Sequence, residues 1–117
     1  MTKRKDKRIS KSLLVNISQN GFECMGVTVN ISRRGMCIAT TDIFPVRSEF
    51  QILIAAADDI YAATGMVVWN MKRVNTPGDD VPAGLGIKLK DATPGYYKFI
   101  RAMKKNPQIS MKKQLDC

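Results

Sequence analysis

The chain reads as an all-β protein with one terminal helix, in which six short strands close into a small antiparallel β-barrel and the helix lies against it. Three observations predict this. Short runs of alternating apolar residues recur at spacings near ten residues, clusters of turn residues separate them, and helical periodicity begins only after residue 93.

The elements follow in order. Ile9, Leu13, Val15 and Ile17 share one parity, with Ser10, Ser12 and Asn16 on the other, as in a half-buried strand. QNG at 19–21 supplies a turn. FECMGVTVNI resumes the pattern and puts Met25, Val27, Val29 and Ile31 on one face. SRRG interrupts it, and MCIAT at 36–40 forms a third strand. FPVRS at 44–48 is a connection, and EFQILIAAA places Phe50, Ile52 and Ile54 on one parity. Asp58 and Asp59 mark a turn before YAATGMVVWNM at 61–71, which is rich in strand-favouring residues. KRVNTPGDDVPA reads as a long polar loop, and GLGIKLK at 84–90 as the sixth strand, with Leu85, Ile87 and Leu89 facing in. Thr93 can cap a helix and Pro94 fits its first turn. Tyr96, Phe99, Ile100 and Met103 then fall at helical spacing as a core face, and Asn106 and Pro107 stop the helix. Gly21, Gly26, Gly35, Gly65 and Gly86 lie in or beside strands, where glycine marks bulges, bends or close approaches.

A length of 117 residues suits one domain. It divides into a basic arm over residues 1–8, the barrel with its helix over 9–106, and a polar tail over 107–117. The net charge of +9 points to an anionic partner. That charge is unevenly placed. Residues 1–11 carry six positives and one negative, residues 98–113 six positives and no negative, and residues 12–97 seven positives and eight negatives. A general nucleic-acid binder spreads its charge over a broad folded face; here the excess sits in two short segments.

Cys24, Cys37 and Cys117 are odd in number and match no paired metal motif, so reduced thiols in a cytoplasmic protein are expected, with Cys24 and Cys37 buried in strands. No metal site is expected. The absence of histidine removes the commonest metal ligand and the commonest general base. No apolar run approaches the length of a membrane helix, and no leader segment is visible, so no membrane insertion is expected. Asp58/Asp59 and Asp79/Asp80 look like turn carboxylates, and no nucleophile–base pair suggests an enzyme.

Two short motifs carry the chemistry. Arg4 and Arg8 stand four apart in a segment without apolar periodicity. Each guanidinium is a planar fork that can grip phosphate, or the O6/N7 edge of guanine, with two hydrogen bonds. Two forks on one arm can close over an anionic guanine ligand; a solvated basic tail is the plainer alternative. NISRRG at 30–35 offers Asn30 and Ser32 side chains and exposed backbone N–H groups at a turn where Gly35 restarts the chain. It is either an ordinary turn or a polar cup for a base edge and a phosphate.

The order R-x-x-x-R, then strand, then N-x-S-x-x-G about 20 residues later, then MVVW, GLGIKL and a helix, resembles the PilZ domain family of bacteria over residues 3–105. The resemblance implies a six-stranded split barrel with a C-terminal helix and, in many members, binding of cyclic di-GMP, a bacterial second messenger, without a cofactor. It assigns the clamp to Arg4 and Arg8, and the contacts from the barrel surface to Asn30, Ser32 and Gly35. Lys3 stands where members that hold a stacked ligand dimer often have another arginine; lysine lacks the fork, which favours one ligand per domain. Arg33 and Arg34 either add phosphate attraction or are solvated. Trp69 either stacks on a guanine or is a core or barrel-mouth tryptophan. The function implied is a non-catalytic receptor or adaptor, whose arm orders on ligand and acts on a downstream protein partner of unknown identity. Two other readings stay open: a small basic barrel binding RNA or DNA, with few aromatics for base stacking, and a PilZ-like interaction module without ligand.

Overall fold

The computed structural model describes residues 8–57 and 59–104. The strands are β1 Ile9–Ser10, β2 Leu14–Gln19, β3 Phe22–Ile31, β4 Gly35–Thr40, β5 Glu49–Ala55, β6 Ile60–Met71, β7 Val74–Thr76, β8 Asp79–Val81 and β9 Ala83–Ala92, followed by helix α1 Pro94–Lys104. All pairings are antiparallel. The order β3-β2-β5-β6-β9-β4 returns to β3 through the β3–β4 pairing and closes a six-stranded barrel, with β1 as a short extra strand on β3. Closure leaves the barrel strands no free edge.

Most of the alternation is realised. Val15 and Ile17, Phe50, Ile52 and Ile54, and Leu85, Ile87 and Leu89 all enter the core. From the helix come Tyr96, Ile100 and Met103, with Phe99 partly buried against them. Helix α1 starts at Pro94, and the Thr93 carbonyl accepts the Tyr96 N–H at 3.0 Å. The β2–β3 hairpin turns on Asn20 and Gly21, whose φ of 49° and 85° fit a two-residue type I′ turn.

Four expectations need correction. First, β3 faces the other way along most of its length. Met25 and Val27 are exposed, and the inner row is Cys24, Gly26 and Thr28. The strands approach closely here: a Cβ on Gly26 would lie 2.7 Å from Ile38 Cγ2 and 2.9 Å from the Ala39 carbonyl oxygen. Small inner side chains are therefore required, and the more apolar row is turned outward. Only after a register irregularity between Thr28 and Asn30 does Ile31 reach the core.

Second, the first strand is broken into β1 and β2. Ile9 pairs with Ile31 but Leu14 with Val27, so residues 11–13 hold one residue more than β3 opposite. Thr28 fills the gap: its hydroxyl donates to the Lys11 carbonyl at 2.6 Å and accepts the Leu13 N–H at 2.8 Å.

Third, the polar loop contains the β7–β8 hairpin. Pro77 and Gly78 (φ 82°) join Thr76 to Asp79 in a tight turn, and Asp79 and Asp80 lie in a strand. Fourth, Cys37 is disulfide-bonded, whereas Cys24 is a free buried thiol. Spacing along the chain bears on metal motifs and says little about long-range closure. Burial pushes the Cys24 thiol up, with a hydrogen bond to Thr40 opposing and Asp42 adding to the rise.

Candidate functional site

The irregularity in β3 builds the site. The extra residue, Val29, reverses the inside–outside alternation, so Asn30 leaves the core cluster that Ile31 joins. Asn30 pairs with Ser10 of β1 on one side and with Cys37 of β4 on the other. Because Arg8 immediately precedes β1, this pairing carries its guanidinium to Asn30. Arg8 donates from Nη1 to Asn30 Oδ1 at 3.0 Å. A Cβ on Gly35 would lie 3.5 Å from Arg8 Nη2 and only 2.6 Å from the Ile87 carbonyl oxygen, so glycine at 35 is required by the close approach of β4 to β9.

The β3–β4 turn is tied by its own serine. Ser32 N–H donates to the Gly35 carbonyl at 2.8 Å, and the Ser32 hydroxyl accepts the Gly35 N–H and reaches the Gly35 carbonyl, both at 3.1 Å. Ser32 is buried, so its hydroxyl shapes the loop from within, while Arg33 and Arg34 are exposed at the tip. The Arg34 carbonyl accepts the Leu89 N–H at 2.7 Å, which fixes the tip to β9.

Tyr96 is the residue that sequence reasoning missed. Its ring is fully buried in the core, and its hydroxyl donates to the Ser32 carbonyl at 2.6 Å. Helix and loop are thereby pinned through one side chain. Burial pushes the Tyr96 phenol well up from its ordinary value, with the Arg8 guanidinium pulling it down and Tyr97 raising it. The phenol stays a protonated donor. The available signal was the choice of Tyr over Phe at a core position, since a buried hydroxyl needs a partner.

Trp69 occupies the far end of the same cross-strand row. Asn30 pairs with Cys37, Cys37 with Gly86, and Gly86 with Trp69. Three strand spacings, roughly 14 Å along the curved barrel wall, lie between the two ends. The indole lies directly over Gly86, where a Cβ would overlap its Nε1 edge, and touches the space above Gly84. The glycines of GLG therefore seat the ring, which is half-buried outside the core cluster. The structure thus brings together Arg8, Asn30, Ser32 and Gly35, with Arg33 and Arg34 at the loop tip and Trp69 along the row. Lys3 and Arg4 lie outside the described residues, as does the tail 107–117. Among the described residues, no group of three or more His, Cys, Asp or Glu could hold a metal, and no helix is long and apolar enough to cross a membrane.

Comparison with known proteins agrees with this architecture. No curated protein matches the chain. Among solved structures, the inhibitor of motility MotI/DgrA of Bacillus subtilis superposes with a TM-score of 0.72 at 16% identity, over 97% of this chain and 55% of that one. This chain therefore spans about half the length of MotI. The PilZ domain of YcgR from Escherichia coli, solved with c-di-GMP, superposes with a TM-score of 0.72 at 11% identity, over 92% of this chain and 93% of that one. At these identities the likeness establishes the fold. The PilZ domain model matches residues 2–103, nearly the whole chain, and the protein belongs to the PilZ domain family.

Proposed function

We propose that this protein is a non-catalytic receptor domain for cyclic di-GMP. Arg4 and Arg8 form the clamp, and Asn30, Ser32 and Gly35 form the surface it closes on. Arg33 and Arg34 add positive potential at the loop tip, and Trp69 bounds the far side. The observation that carries the reading is the seating of Arg8 on Asn30 at 3.0 Å, next to Gly35 of the same loop. Two remote motifs, separately ambiguous, meet at hydrogen-bond distance. Membership of the PilZ family, and the similarity in fold to a YcgR domain solved with c-di-GMP, support the choice of ligand.

Each residue has a physical task. A guanidinium offers paired donors to phosphate or to a guanine edge, and such charge-assisted bonds contribute roughly 1.5–3 kcal/mol each. Arg8 is placed by β1 before any ligand arrives, so little ordering cost falls on it. Ordering an arm on binding costs about 1–2 kcal/mol per residue, which several charge-assisted bonds can offset. Ordering of that arm is the proposed signal to a downstream protein. Ser32 acts by holding the turn, and Gly35 by letting the loop lie close against β9. With Lys3 in place of a further arginine fork, one ligand per domain is expected.

Calorimetric titration of cyclic di-GMP tests this. Arg8→Ala should weaken binding by about ten- to a hundredfold, the equivalent of one lost charge-assisted pair. Equal affinity for wild type and Arg8→Ala, or no binding by wild type at low salt, would sink the reading.

A further inference from the structure

A second cationic feature lies on the other side of the signature loop. A groove of about 590 Å³ runs between Arg33 and the exposed side of α1. Pro94 and Tyr97 give it apolar surface above the core residue Ile100, and Lys98, Arg101 and Lys104 line it with Arg33. Among the described residues that line it, none is acidic. Positions 97, 98, 101 and 104 recur at helical spacing, so the cations form one stripe along α1, which is about 16 Å long. The stripe ends at the helix C-terminus, where the macrodipole adds negative potential that accommodates these cations without neutralising them. Four cations gathered along one groove, with no acidic residue among its described lining, repel one another and complement an anionic surface.

We infer that this groove docks an acidic, amphipathic segment of a partner protein, with carboxylates on the Lys98–Arg101–Lys104 stripe and aliphatic side chains over Pro94 and Tyr97. A protein segment fits better than a nucleic acid because the ring in the groove is already engaged. The Arg33 guanidinium sits over Tyr97 at 5.9 Å from the ring centroid, and Tyr96 meets the same ring edge-on at 5.9 Å. Tyr97 is the one aromatic among the described residues lining the groove, whereas single-strand binding stacks successive bases on several rings. The apolar surface instead offers aliphatic contact, as in other helix-in-groove interfaces. Arg33 belongs both to this groove and to the N-x-S-x-x-G loop, so the docking surface abuts the turn that Ser32 and Tyr96 hold in place.

The test is a fluorescence-anisotropy titration of the full chain, without nucleotide, at low salt. The probe is a labelled helical peptide of about 14 residues, enough to span α1, with Glu at i, i+3, i+4 and i+7 and Leu on the adjoining face. Its Glu→Gln counterpart and a single-stranded oligonucleotide of equal charge are the controls. The acidic peptide should bind about tenfold or more tightly than the Gln peptide, and K98E/R101E should remove that difference. Both substituted residues are exposed, so the fold should be retained with only the small loss that acidic residues near a helix C-terminus carry; R33E should give a partial loss of binding. Equal binding of the two peptides, indifference to K98E/R101E, or tighter binding of the oligonucleotide would each overturn the inference. Because no cyclic di-GMP is present, failure here leaves the nucleotide reading standing, and failure of that reading leaves the groove.

Discussion

The two ends of β3 contrast sharply, although they belong to one strand. The first half turns an apolar row to the outside: Met25 and Val27 are 47% and 41% exposed, beside Leu14 and Leu53 at 50% and 49% on the neighbouring strands. The last turn of the strand does the opposite. Asn30 and Ser32, both polar, are 2% exposed and fully engaged with Arg8, Gly35 and Tyr96. One extra residue, Val29, separates the two regimes. Polarity therefore does not predict exposure here. Geometry decides it, and polar groups are buried where their partners converge.

Substitutions can break this contrast at several strengths. The largest effect is expected at Gly35→Val. Its side chain would drive into the Ile87 backbone carbonyl, which cannot give way as a flexible side chain could. Destabilisation of about 3 kcal/mol or more should appear in urea unfolding, together with loss of the Arg8 seat. Gly86→Ala should act more mildly by lifting the Trp69 indole, and would be read as a change in tryptophan emission with a loss of about 1–2 kcal/mol.

Thr28→Val comes next. It keeps the shape but strands the Lys11 carbonyl and the Leu13 N–H at the junction that aligns β1 with β3. A cost of about 1–3 kcal/mol is expected, and cyclic di-GMP affinity should fall with it, because β1 carries Arg8. Unchanged affinity in a folded Thr28→Val protein would separate the bulge from the site.

Tyr96→Phe should cost about 1–1.5 kcal/mol by leaving the Ser32 carbonyl without its donor. It also has a pH signature. The phenol is raised in the folded state, so its contribution is complete below the ordinary tyrosine value near 10 and is lost as pH climbs above it. Wild type should therefore lose stability above about pH 10 more steeply than Tyr96→Phe. The smallest effect is expected on the outer wall. Met25→Gln or Val27→Thr should stay within about 0.5 kcal/mol, since exposed side chains have little burial to lose. A larger loss there would mean that the wall is covered in solution.

Much of this was legible from the chain alone. Alternation located the six barrel strands, Asn20-Gly21 the hairpin, and Thr93-Pro94 the helix start, because each is a local preference written in a few consecutive residues. R-x-x-x-R and N-x-S-x-x-G also named Arg8, Asn30, Ser32 and Gly35 together, before any distance was known. The facing of β3 was not legible. Its apolar row is the exposed one, and only closure against Ile38 and Ala39 demands small residues inside. Nor was the hydroxyl of Tyr96 legible as a tie between helix and loop, since its acceptor lies 64 residues away. Local sequence determined which segments become strands, turns and helix, and which side chains can bind an anion. The tertiary structure decided which face points inward, where the register slips, and thus which polar groups meet, because those choices depend on packing between strands remote in the chain.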